Sequence, residues 1–183
     1  MSTYNVYHHK EQYVDAFSEW VEKIEPNAFV TLTFKIDVSQ EDAQACMKQF
    51  ILHLSRACFS KKQFKRGEKI KIFPFLEKTK VDRFHYHLLL KIPPKYTNRV
   101  GAFKDRIRKY WLRVRAKNKN YYPVCGGNPY LLDKAENKWF IYEPMGFPPH
   151  VCKDLVRYLL KQLYFNNYGS LENMCVDAEN INM

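Results

Sequence analysis

Apolar residues recur at helical and strand spacings along most of the chain. From Glu11 to Ile24 they fall at Val14, Phe17, Val21 and Ile24, one face of an amphipathic helix that stops near Pro26. Phe29-Val30-Thr31-Leu32-Thr33-Phe34 is β-branched and aromatic throughout and predicts a strand. Ser39 followed by Asp42 is a capping signal for a helix reaching about Phe59, with Ala43, Cys46, Phe50 and Leu54 as its buried stripe. After a basic loop, two apolar strands are expected, Ile70 to Lys78 and Phe84 to Ile92, closed by Pro93-Pro94. Val100, Phe103, Ile107, Trp111 and Val114 place a helix from about Asn98 to Ala116. Residues 121–149 are rich in Gly and Pro and predict a loop-rich hairpin whose better strand is Lys138 to Tyr142. A last helix runs from His150 to about Phe165, and residues 166–183 form a polar tail.

With no repeat or linker, the order β-α-β-β-α-β-α after the first helix predicts a single α+β domain spanning residues 1–183. A central antiparallel sheet would be covered by helices on a ferredoxin-like plan, the arrangement also used by RNA-recognition domains. At 46% hydrophobic residues, the 183-residue chain has enough apolar material for that core.

Charge adds a partner to this picture. Thirty Lys and Arg oppose nineteen Asp and Glu, a formal +11 that predicts a polyanion, and 16% aromatic residues leave rings to stack on bases. The charge is segregated: residues 1–28 carry five acids and two bases, leaving +14 on the remainder. Two segments hold most of it, Lys61 to Lys71 (with Lys61, Lys62, Lys65 and Arg66) and Arg99 to Lys119 (with Arg106, Arg108, Arg113 and Arg115). Either could be a solvated face; the aromatic residues within the second tilt it toward nucleic acid. The five cysteines are scattered and form no C-x-x-C pair, which argues against a disulfide framework or a cysteine-based zinc site. With no signal-peptide core and no apolar run of membrane length, a soluble, intracellular protein without a membrane partner is expected.

Chemistry enters with His85-Tyr86-His87. Side chains alternate across a strand, so both imidazoles share one face. Any odd-length turn centred on Val81 pairs Glu77 directly with His85, bringing a carboxylate onto the same face. Glu77, His85 and His87 can thus hold one divalent ion, Mg²⁺ or Mn²⁺ by preference with Zn²⁺ left open, unless they are hydrogen-bonded histidines beside a surface acid. In the last helix, Asp154, Tyr158 and Lys161 fall within about a 60° arc on the polar side. Tyr158 beside an ammonium makes a candidate nucleophile, or else a half-exposed tyrosine.

Together these residues resemble the HUH endonucleases, and among them the rolling-circle replication initiators, or Rep proteins. Phe29 to Phe34 corresponds to motif I, His85-Tyr86-His87 with upstream Glu77 to motif II, and Tyr158 to Lys161 to motif III. The resemblance implies a metal-dependent nickase and strand transferase acting on single-stranded DNA at a replication origin, bare or carried on a hairpin. Glu77, His85 and His87 would hold the ion, Tyr158 would become joined to the 5′-phosphate, and Lys161 would orient it, with Asp154 a candidate for holding Lys161. Thr31 and Thr33 receive no catalytic role; a packed central strand accounts for them.

Tyr86 stands where the family is usually aliphatic, and Gln162 stands where two-tyrosine initiators carry their second tyrosine, implying one active tyrosine per chain. The absence of a Walker A sequence predicts that unwinding falls to a separate helicase, with a DNA polymerase extending the 3′-hydroxyl. The resemblance places the protein in a cytoplasm, or in a host cell if a virus encodes it; a dimer is compatible with the sequence. Two other readings stay open: a small HUH transposase, in which Gln162 would be a metal ligand, and a non-catalytic module that binds single-stranded nucleic acid.

Overall fold

A computed structural model describes residues 3–34, 37–78, 84–114 and 140–165. Helix α1 (Thr3–Ile24) precedes strand β1 (Ala28–Thr33), which leads to α2 (Gln40–Cys58) and the short α3 (Lys61–Lys65). Strands β2 (Ile72–Lys78) and β3 (Phe84–Leu90) follow, then a 3₁₀ turn at Pro94–Tyr96, α4 (Val100–Trp111), β4 (Phe140–Tyr142) and α5 (Pro149–Phe165). The four strands form one antiparallel sheet in the order β2-β3-β1-β4, as the α+β expectation required.

The strands read as nearly continuous apolar runs because the sheet is buried on both faces. Ala28, Val30, Leu32, Ile72, Tyr86, Leu88 and Leu90 point into one core, against Cys46, Phe50 and Leu54 of α2 and Phe103, Ile107 and Trp111 of α4. Phe29, Phe73, Phe75 and Leu89 point the other way, against Val14, Phe17 and Val21 of α1 and Val156, Leu159 and Leu160 of α5. Tyr86, fully buried, packs beside Phe34 and Trp111 in the first core, so its bulk is accommodated away from the histidine face. Pro74 lies within β2, where its missing N–H is tolerated because β2 is an edge strand.

Several boundaries differ from the sequence expectation. Helix α1 begins at Thr3, eight residues before Glu11, because its first turns lack the apolar periodicity that marks the rest. The basic loop contains α3, held by a capping box in which Ser60 Oγ accepts from the Gln63 N–H and Gln63 Oε1 accepts from the Ser60 N–H. Helix α4 ends at Trp111 rather than near Ala116, β2 begins two residues late at Ile72, and β3 ends at Leu90. The Ser39 cap of α2 is present, its hydroxyl accepting from the Asp42 N–H at 3.1 Å. The first half of the expected hairpin, Arg115 and the polar tail lie outside the described residues. Among the described residues no helix is long and apolar enough to cross a membrane.

Candidate metal centre and tyrosine site

Strand parity and register build the site. Glu77 stands directly opposite His85, with Lys78 opposite Phe84 as the last pair of the ladder, so the pairing centred on Val81 is the one observed. His85 and His87 share the face covered by α1 and α5, at the end of the sheet where β2 finishes and β3 begins. Three donor atoms converge there: Glu77 Oε2 lies 3.0 Å from His87 Nε2 and 3.5 Å from His85 Nε2, and the two Nε2 atoms are 3.1 Å apart. Ligands bonded at about 2.1 Å to a single ion and about 90–110° apart stand about 3.0–3.4 Å from each other, so these separations match the edges of a coordination shell. Among the described residues no other set of three His, Cys, Asp or Glu side chains comes together in this way.

Electrostatics favours the same conclusion. Burial pushes the Glu77 carboxyl up, but hydrogen bonds from His85 and His87 and their charge outweigh it and hold it well below the usual carboxylate range. A carboxylate and two imidazole nitrogens meeting at hydrogen-bond distance need a shared proton or a cation between them; the donor set therefore fits a metal ion.

His87 is the more constrained ligand. It is buried, stacked on Phe29 with ring centroids 5.3 Å apart, and its Nδ1 lies 3.0 Å from Thr31 Oγ1. Thr31 is its direct partner across the β1–β3 ladder. When Nε2 faces an ion, Nδ1 carries the proton and donates to Thr31. Sequence reasoning missed this contact. The alternation of Phe29, Thr31 and Thr33 onto one face was available as a signal, but the register that sets Thr31 opposite His87 was not. His85 Nδ1 is buried and has no hydrogen-bond partner among the described residues, so the two histidines are held unequally.

Tyr158 comes to this centre from α5. Its ring lies edge-on to His87 with centroids 5.8 Å apart, and the residue is 46% exposed, open to a substrate from solvent. Helix α5 is set in place by its apolar face and by an ion pair to α1, Lys153 Nζ to Asp15 Oδ1 at 2.6 Å. Asp154 does not stand apart waiting for Lys161: it is paired with Arg157 at 3.4 Å, both side chains largely in solvent. Lys161 and Gln162 continue α5, their side chains lying outside the described residues.

The cationic residues divide. Lys61, Lys62, Lys65 and Arg66 are exposed at α3, on the α2–α4 side of the sheet and at the end where β2 begins, so they are not brought to the histidines. Arg106 is engaged in packing, its guanidinium 5.4 Å from the Tyr96 ring centre and donating to the Ala57 carbonyl. Arg108 is half-buried on α4. Arg113, lying over Tyr110, follows Trp111, whose indole N–H donates to the Thr33 carbonyl at 2.9 Å; this end of α4 thus lies at the site end of the sheet.

Residues 27–138 match the family described as replication-associated protein ORF2. That segment holds Phe29 to Phe34, Glu77, His85 and His87 and stops before α5, so the placement of Tyr158 rests on the geometry alone. No curated protein and no solved structure gives a significant match. The matched segment covers more than half of the chain and agrees with the resemblance drawn from the histidine and tyrosine motifs, and the protein belongs to the replication-associated protein ORF2 family.

Proposed function

We propose that the protein is a rolling-circle replication initiator, a metal-dependent endonuclease and strand transferase for single-stranded DNA with Tyr158 as nucleophile. The observation that carries this reading is the convergence of Glu77, His85 and His87 on one point, with the Tyr158 ring against His87. A bound Mg²⁺ or Mn²⁺ supplies Lewis-acid polarisation of the phosphoryl oxygens.

The protein's own side chains do the rest. Tyr158 Oη attacks phosphorus in line, losing its phenolic proton; the Oη–P bond forms as the P–O3′ bond breaks, and the departing 3′-oxygen takes a proton to leave a 3′-hydroxyl. The 5′-phosphotyrosine retains the energy of the broken phosphodiester, so another 3′-hydroxyl can reverse the step and join strands. Lys161, one turn beyond Tyr158 on α5, offsets the charge of the attacking oxygen. The origin DNA is recognised as a single strand at the cutting site, and the released 3′-hydroxyl primes a polymerase.

The test is cleavage of a library of single-stranded oligonucleotides in Mn²⁺, read by sequencing and by covalent adduct. Wild type is expected to cut and to remain attached to the 5′ product. Tyr158→Phe is expected to do neither, while His87→Ala binds DNA without cutting. An adduct formed by Tyr158→Phe overturns the nucleophile assignment, and full activity of His87→Ala overturns the metal assignment.

A further inference from the structure

We infer that the end of the domain remote from the tyrosine is a second DNA surface, one that holds duplex rather than single-stranded DNA; this rests on the nickase reading above. Lys61, Lys62, Lys65, Arg66 and Lys71 are all exposed in and around α3. Helix α3 buries none of its residues, yet it is fixed by the Ser60–Gln63 capping box and by a hydrogen bond from Gln63 Nε2 to Glu68. A short helix that adds nothing to the core but holds its cations in a set array is built for presentation. Glu68 is the only acid from residue 60 to 71, and it is occupied by Gln63.

Position separates this surface from the site. Strand β2 runs from Ile72, beside α3, to Glu77 at the metal centre, five residues or about 17 Å of extended chain. The two also lie on opposite sides of the sheet, because α3 follows α2 on one side and Tyr158 arrives with α5 on the other. The phosphate being cut and the phosphates at α3 therefore belong to different parts of the substrate.

Aromatic exposure decides which kind of DNA each side takes. Single strands are held by bases stacked on open rings, whereas a duplex offers mainly phosphates to a cationic surface. At the α3 end the rings are covered: Phe64 is half-buried under the Arg56 guanidinium, and Tyr96 is buried beneath Lys95 and Arg106. The large exposed rings of the described residues, Trp20 and Tyr158, stand on α1 and α5. Single-stranded DNA fits that layer, and a duplex flanking the cut site fits α3.

The experiment compares two probes in EDTA, a single strand of about 20 nucleotides and the same strand extended by a hairpin stem of about 15 base pairs, by fluorescence anisotropy across a NaCl series. Lys61→Gln, Lys62→Gln, Lys65→Gln and Arg66→Gln combined should weaken binding of the stem probe at least about tenfold and make its log K against log[salt] slope shallower by about 3–4, while changing the single-strand affinity less than about twofold. Restoring the charges as Arg at all four positions should recover stem binding. Equal losses on both probes, or no loss on either, overturn the proposal. Cutting of the short strand in Mn²⁺ is scored separately: its absence from wild type refutes the nickase reading, whereas its persistence in the variant with stem binding intact refutes only the duplex surface.

Discussion

Replacing Thr31 by Val removes one hydroxyl from behind His87 and leaves the side-chain volume nearly unchanged. The substitution deletes the hydrogen bond between Thr31 Oγ1 and His87 Nδ1, 3.0 Å long, inside a site where His87 is only 6% exposed, so water cannot readily substitute. Partners of this kind fix the tautomer and orientation of a ligating imidazole, and removing one typically lowers metal affinity about 10–100-fold, or about 1.4–2.7 kcal/mol. The stack on Phe29 survives the substitution, so the ring stays near its place while its proton is no longer assigned to Nδ1. Titration of metal-free protein with Mn²⁺, followed by calorimetry or by the loss of the free Mn²⁺ paramagnetic resonance signal, measures the effect directly. Thr31→Ser, which keeps an oxygen, should return most of the affinity, and unchanged circular dichroism should accompany both variants. If Thr31→Val binds Mn²⁺ within about twofold of wild type, the hydrogen bond does not position the ligand and the reasoning fails.

Three further outcomes are expected. Saturation with Mn²⁺ at about 100 times its Kd should stabilise the fold by about 2.7 kcal/mol, an increase in Tm of about 5–10 °C for a chain of this length, and His87→Ala should abolish that shift in differential scanning fluorimetry. Phe50→Ala, which empties a fully buried position between α2 and the sheet, should cost about 3–5 kcal/mol in urea unfolding; a loss below about 1 kcal/mol would refute the packing described for that core. Cys58, whose thiol burial pushes up to about 11, should resist alkylation in the native protein and react once unfolded, as read by peptide mass mapping. Because its folded value is raised, the unfolded thiol ionises first: Cys58 contributes stability that is present below about pH 9 and lost as pH rises toward about 11, and Cys58→Ala should flatten that decline.

The metal ligands were legible because their geometry is local. Strand parity and a turn centred on Val81 suffice to bring Glu77 opposite His85 and to align His87 with them, and both constraints are written within eleven residues. Thr31 was not legible because β1 and β3 pair across an intervening helix and hairpin, and no short turn sets their register. Arg106 looked like one more surface cation until the fold brought the Tyr96 ring and the end of α2 beneath it. The separation of the α3 lysines from the tyrosine was equally hidden, since sequence distance says nothing about which face of a sheet a helix covers. Helix α3 had a readable mark, Ser60 with Gln63 three residues on, set in a run whose lysines are more conspicuous than its cap.

The ion's ligands and the tyrosine belong to bodies joined in different ways. Glu77, His85 and His87 are locked by the hydrogen-bonded ladder between β2 and β3, which permits no sliding without breaking register. Tyr158 rides on α5, seated through apolar packing against α1 and the sheet and through the exposed Lys153–Asp15 pair, none of which is directional to the same degree. The nucleophile can therefore be retuned independently of the ion: substitutions on α1, a helix that carries no ligand and lies ahead of the matched segment, alter the tilt at which the tyrosine meets a phosphate and leave the affinity for metal untouched. Helix α1 is in this sense the adjusting screw of the site.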